Sequence, residues 1–310
     1  MSESREPIRE FPPLPEPNWV QSTSGVLLAT YDLGLPQKKQ TSTQLLFAHA
    51  TGFCAGVWAP LTQLLPENRN FSIDFRGHGL SGIPAVGMNW AGTAEDLLAT
   101  IDHFGLEQPF GVGHSMGGAA LILAEQMRPG TFSGLWVYEP IIFPSGGTDV
   151  PSHPGEVSNF SDKNPLVASA LRRRDCFESR AAAEQNFANK FPLSDLCEAS
   201  LGAYVTYGFE QLPDGSVKLR CRPEIEADTY RMGIHHDAFA HLGEVKCPVT
   251  VARGDADFAG PAELAPLIAH ALPHATLEDF AGLGHFGPLQ DPHRISVALL
   301  SAIAAVTAAT

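Results

Sequence analysis

The sequence predicts an α/β protein: a mostly parallel central sheet flanked by helices, interrupted by an inserted, mainly helical lid. Two observations predict it. Short apolar runs alternate with helical patterns in the first half of the chain and again near its C-terminus, which is the signature of strands joined by crossover helices. That alternation breaks between about residues 145 and 242, where the texture changes for roughly 100 residues.

The elements follow in order. Residues 1–18 are rich in proline and charge and are expected to form an arm. The apolar runs Val26–Asp32, Gln44–Ala48, Phe71–Asp74, Phe110–Gly113, Gly134–Tyr138, Val249–Ala252 and Thr276–Phe280 are expected strands. Thr93–Phe104 and Met116–Met127 are expected helices, with Thr93 capping the first and Asp96 three residues on. The inserted stretch holds ALRRRDCFESRAAAEQNFANKF, then Tyr204, Tyr207 and Phe209, then LPDGSVKLRC. Pro213-Asp214-Gly215 between apolar runs predicts a hairpin turn. The expected organisation is an arm over 1–18, a core over 19–144 and 243–310, and a lid over 145–242. A lid closes over substrate and excludes water.

Composition narrows the function. The chain has 310 residues, 44% hydrophobic and 17% charged, enough to build a large core without metal or disulfide staples. Its 20 Lys and Arg against 34 Asp and Glu leave a net charge of −14. Nucleic-acid binders and anionic-membrane binders need basic patches, so neither class is expected. Five cysteines without a CxxC pair indicate neither a disulfide framework nor a zinc cluster. No run of 18 apolar residues and no signal-peptide pattern is visible, so a cytoplasmic location without a membrane span is expected. A monomer or homodimer is the base-rate expectation.

The strongest chemical signal is Gly113-His114-Ser115-Met116-Gly117, a G-x-S-x-G turn between an expected strand and an expected helix. A sharp turn there lifts the Ser115 hydroxyl out of the sheet. Small residues two before and two after let it close, and the helix start aims free N–H groups at a developing oxyanion. A serine needs a base and an orienting acid. His285 in GLGHFGPLQDP follows the last expected strand and is the favoured base among 12 histidines, ahead of His270, His274 and His293. Two acids end strands: Asp257 in VARGDADFAGP and Glu139 in LWVYEP, with Asp255 a lesser choice. Either carboxylate suits the imidazole.

Together these residues resemble the α/β-hydrolase superfamily, in its lidded esterase-like and epoxide hydrolase-like branch, over about residues 25–142 and 244–305. Four further matches carry the resemblance. His49-Ala50-Thr51-Gly52-Phe53, followed by Trp58, is similar to the oxyanion loop after the third strand. Asp74-Phe75-Arg76-Gly77-His78-Gly79-Leu80-Ser81 matches a structural D-x-R-G-H-G-x-S turn, in which Arg76 and His78 build the turn. Gly254-Asp255-Ala256-Asp257 with Pro261 resembles the acid loop, and Gly284-His285-Phe286 the histidine loop.

The resemblance implies Ser115 as nucleophile, His285 as base and Asp257 as acid, with Glu139 the alternative that some relatives use. It implies the Met116 N–H as one oxyanion donor. The other is Thr51 or Phe53, depending on how the loop is aligned, with Thr51 slightly favoured. Because the elbow carries Ser rather than Asp, acyl transfer is implied, without metal or organic cofactor. Phe53, Trp58, Phe143 and Tyr207 are either pocket or plain core, with core favoured for each. The expected function is hydrolysis of a small, largely apolar carboxylic ester or lactone. The alternatives are a carbon–carbon hydrolase of ring-cleavage products and a slow-turnover ligand receptor on the same fold.

Overall fold

The structure, a computed structural model, describes residues 11–34, 43–144, 164–233, 235–255 and 260–309. In chain order the strands are β1 (Asn18–Gln21), β2 (Leu27–Asp32), β3 (Gln44–Ala48), β4 (Arg69–Ile73), β5 (Phe110–His114), β6 (Gly134–Tyr138), β7 (Cys176–Phe177), β8 (Phe209–Gln211), β9 (Val217–Leu219), β10 (Val249–Arg253) and β11 (Ala275–Asp279). The central sheet has eight strands in the order β1-β2-β4-β3-β5-β6-β10-β11. Only β1 and β2 run antiparallel to their neighbours. From β4 through β11 every pairing is parallel.

A parallel sheet of this kind must be covered on both faces, and β3 shows how the sequence achieves it. Leu45 and Phe47 enter one apolar cluster, and Leu46 and Ala48 the other. All four are fully buried. One cluster is closed by the helices Trp90–Phe104, Met116–Met127 and Pro261–Ala271. The other is closed by Trp58, Leu61 and the last helix, Pro292–Ala309, through Ile295, Leu299 and Ile303.

Between β6 and β10 lie the helices Pro165–Leu171, Arg180–Ala188, Glu198–Tyr207 and Pro223–Arg231. They are joined by a small antiparallel sheet ordered β7-β9-β8. The expected hairpin is its β8–β9 arm, with Asp214 Oδ1 accepting from the Ser216 N–H at 3.0 Å. Phe177, Tyr204 and Phe209 of this segment join the second cluster, so it packs on the core as a continuation of it.

Three details differ from expectation. Strand β1 falls where the arm was expected to end. The helix Trp90–Phe104 begins one turn early, capped by the Asn89 side chain, which accepts from the Gly92 N–H at 2.8 Å. Thr93 therefore lies inside the helix and bonds back to Trp90 O, while Asp96 pairs with Arg76. Residues 11–17 carry no regular structure but are not free: Tyr207 donates its hydroxyl to Pro12 O at 2.6 Å.

Candidate active site

Ser115 stands at the junction of β5 and the helix Met116–Met127, with φ 55° and ψ −114°. Side chains rarely adopt positive φ, and here a hydrogen bond from its N–H to Tyr138 O at 2.9 Å holds it. The turn needs glycine two residues on. A Cβ at Gly117 would lie 2.1 Å from Ala48 O, inside the backbone that leads to the His49 loop. Met116 opens the helix, so its N–H has no partner within it.

The next strand, β6, ends at Tyr138 and delivers Glu139, also at positive φ (45°) and only 1% exposed. Its backbone N–H donates to Ala252 O, and its Oε1 accepts from the Gly254 N–H at 2.9 Å. Its Oε2 lies 2.6 Å from His285 Nδ1. An ionised carboxylate only accepts, so Nδ1 carries the proton and Nε2 is left as the basic nitrogen. The carboxylate on His285 is thus that of Glu139, which the sequence offered as the alternative. Asp257, the expected acid, lies outside the described residues. Asp255 instead accepts from the Gly282 N–H through Oδ2 at 2.7 Å.

His285 is held from its other side too. Its carbonyl accepts from His114 Nε2 at 2.7 Å, and the two rings lie 5.0 Å apart. Burial keeps the His114 imidazole well below its ordinary pKa, so it is neutral beside His285. Ser115, Glu139 and His285 therefore gather at the C-terminal ends of β5 and β6, where sites collect in open α/β sheets.

The loop after β3 is ordered by His49, which sequence reading had left without a task. His49 Nδ1 donates to Ala50 O at 2.8 Å, and its Nε2 accepts from the Phe75 N–H at 3.1 Å. Accepting at Nε2 while Nδ1 donates needs the neutral ring, and burial holds the pKa well below the usual value. Ala50 O also accepts from the Phe53 N–H at 3.2 Å, closing a turn with Gly52 at φ 81°. Phe53 thus spends the N–H that made it a candidate oxyanion donor. Ala50 O shares a peptide plane with the Thr51 N–H, so two bonds to that carbonyl fix where Thr51 points.

The D-x-R-G-H-G-x-S stretch is structural, as expected. Asp74 Oδ1 accepts from the Ala55 N–H at 2.7 Å and Oδ2 from the Leu80 N–H at 2.9 Å. Arg76 pairs with Asp96 at 2.7 Å, both side chains fully buried. Phe53 forms an aromatic wall with Tyr204 and Phe286, at ring distances of 5.2 and 5.5 Å. Trp58 is core, tilted against Phe47, while Tyr207 meets residues 11 and 12 and Phe143 is exposed. Among the described residues no group of three or more His, Cys, Asp and Glu side chains is arranged to hold a metal, and no helix is long and apolar enough to cross a membrane.

Comparison with known proteins places this geometry in context. A family model described as "Alpha/beta hydrolase family" matches residues 45–298. Human monoglyceride lipase is 30% identical over 199 residues, covering 60% of this chain and 62% of the lipase. The chain thus spans about three fifths of that relative's length. Among solved structures, E-2-(acetamidomethylene)succinate hydrolase superposes with a TM-score of 0.73 at 21% identity, covering 93% of this chain and 98% of that one. The enol-lactonase from Burkholderia xenovorans LB400 gives 0.66 at 16% identity, covering 93% and 100%. At such identities the two structures speak for the fold alone.

Proposed function

The chain belongs to the alpha/beta hydrolase family; we propose that it is a hydrolase that cleaves a small, largely apolar carboxylic ester or lactone by a Ser115–His285–Glu139 triad. The observation that carries this reading is the 2.6 Å contact of Glu139 Oε2 with His285 Nδ1, one strand over from a serine on a strained turn. It fixes the imidazole tautomer a serine hydrolase requires. In the proposed reaction Ser115 Oγ attacks the acyl carbon and its proton passes to His285 Nε2. The oxyanion is met by the N–H groups of Met116 and Thr51. The protonated imidazole then gives its proton to the departing alkoxide, leaving an acyl-enzyme. Water, activated by the same nitrogen, attacks that ester and releases the acid.

Apolar selectivity is supported by the Phe53, Phe286 and Tyr204 wall beside the proposed oxyanion loop. The ester reading is also supported by the similarity to a monoglyceride lipase. Residues 145–242 are read as the lid, since Tyr204 already contacts Phe53 across that boundary.

The test is labelling with a fluorophosphonate, mapped by peptide mass, together with hydrolysis of 4-nitrophenyl butyrate. Wild type is expected to label at Ser115 and S115A not at all. Glu139→Gln is expected to lower kcat about 10⁴-fold, as loss of the orienting carboxylate does in serine proteases, whereas Asp257→Asn retains most activity. The reverse order of the two acid variants would reinstate Asp257. Absence of labelling on folded wild type would overturn the hydrolase mechanism itself.

A further inference from the structure

The turn that presents Thr51 is gripped from outside by a buried ion pair, and the proposed reaction gives that pair no chemical step. Arg173, just beyond the helix Pro165–Leu171, places Nη1 2.7 Å from Glu226 Oε2 on the helix Pro223–Arg231. Its Nη2 bonds the Tyr204 hydroxyl on a third helix, and the guanidinium faces the Phe187 and Tyr204 rings. The Arg173 and Glu226 side chains are only 19% and 8% exposed. Burying an ion pair recovers little stability over an apolar pair, so its position deserves a physical reason.

That reason is Gly52. A Cβ there would meet Glu226 Oε1 at 3.1 Å and Arg173 Nη1 at 3.4 Å, so the pair lies directly on the Gly52 backbone. The turn is therefore held on its inner side by His49 and on its outer side by groups that all belong to the segment between β6 and β10.

We propose that Arg173 and Glu226 are positioning residues that clamp the Ala50–Phe53 turn, so that the Thr51 N–H is aimed at the oxyanion only while that segment is seated. The inference rests on the oxyanion role proposed for Thr51. It makes the inserted segment part of transition-state stabilisation as well as a cover. Neither side chain is assigned a contact with substrate, so the clamp acts on kcat.

The experiment compares wild type, Arg173→Met, Glu226→Met and the double variant R173M/E226M, with S115A as the blank. Hydrolysis of 4-nitrophenyl butyrate, the rate of fluorophosphonate labelling at Ser115 and thermal melting are measured for each. Each single variant strands a buried charge and melts lower. The double variant strands none and melts close to wild type. The proposal expects the double variant to keep a KM within about threefold of wild type while kcat and the labelling rate fall about 10- to 100-fold, somewhat less than deleting an oxyanion donor. A double variant with wild-type kcat overturns the clamp. One that raises KM and keeps kcat overturns it as well, assigning the pair to substrate binding. Wild type unlabelled at Ser115, or S115A as active as wild type, overturns the serine-hydrolase reading and the clamp with it. A failing clamp alone leaves wild-type labelling intact.

Discussion

At the scale of single residues, the site is built from backbone that other sequences would avoid. Ser115 and Glu139 both sit at positive φ on neighbouring strand ends. Their strain is held by the bonds from the Ser115 N–H to Tyr138 O and from the Glu139 N–H to Ala252 O. Gly117 is as exacting. Gly117→Ala would drive a methyl to 2.1 Å from Ala48 O. We expect it to cost at least about 1–3 kcal/mol in urea unfolding and to abolish labelling of Ser115, because relief requires moving either the elbow or the His49 loop. The strand-to-helix turn at Ser115 and the place of His285 after the last strand were legible in the sequence because their flanking residues are local. The choice of carboxylate was not. Glu139 and the loop after β10 end at the same edge of the sheet, and nothing in the chain order says which reaches Nδ1. The proposed oxyanion donor was ambiguous for a related reason, since only the Phe53 N–H to Ala50 O bond shows which amide is spent.

At the scale of elements, seven of the strands announced themselves as apolar runs, two of them, Gln44–Ala48 and Gly134–Tyr138, at their observed limits. Strand β1 did not. It has four residues, of which only Val20 is buried, so its pattern is indistinguishable from an extended arm. The start of the helix Trp90–Phe104 was misplaced because Asp96 serves a partner remote in sequence. That partner, Arg76, is fully buried and donates to both Asp96 oxygens, while its Nη1 finds no acceptor among the described residues. Asp96→Asn leaves this guanidinium without its counter-charge and is expected to destabilise the fold by about 3–5 kcal/mol. R76M/D96L is expected to recover most of that loss. Urea midpoints for the two variants check it, and equal losses in both would show that packing, rather than charge, dominates.

At the scale of the whole molecule, pH acts through histidines far more buried than their sequence context revealed. Burial holds His49, His78 and His114 below the ordinary imidazole range. Each binds a proton in the unfolded chain below about pH 6.5 but stays neutral in the folded one, so its contribution to stability is full above that pH and lost on acidification. Burial raises the Asp74 and Asp96 carboxyls, which works in the opposite sense, because the folded chain then keeps their protons more tightly. Comparing wild type with His114→Gln cancels the carboxyl contribution. Below pH 6.5 the wild-type unfolding free energy is expected to fall more steeply, by about 1.4 kcal/mol per pH unit. Parallel curves would mean that His114 is protonated in the folded protein.

The order of the groups along the chain has a further consequence. Ser115 and Glu139 lie 24 positions apart on adjacent strands, both ahead of the inserted segment, and His285 comes after it. Any cut between residues 140 and 248 therefore leaves the proposed nucleophile and acid on one polypeptide and the proposed base on the other. Neither piece alone holds a complete set, and the two regain one only by rebuilding the β6–β10 pairing. The protein is in that respect a natural candidate for a split reporter, silent as halves and active on reassociation.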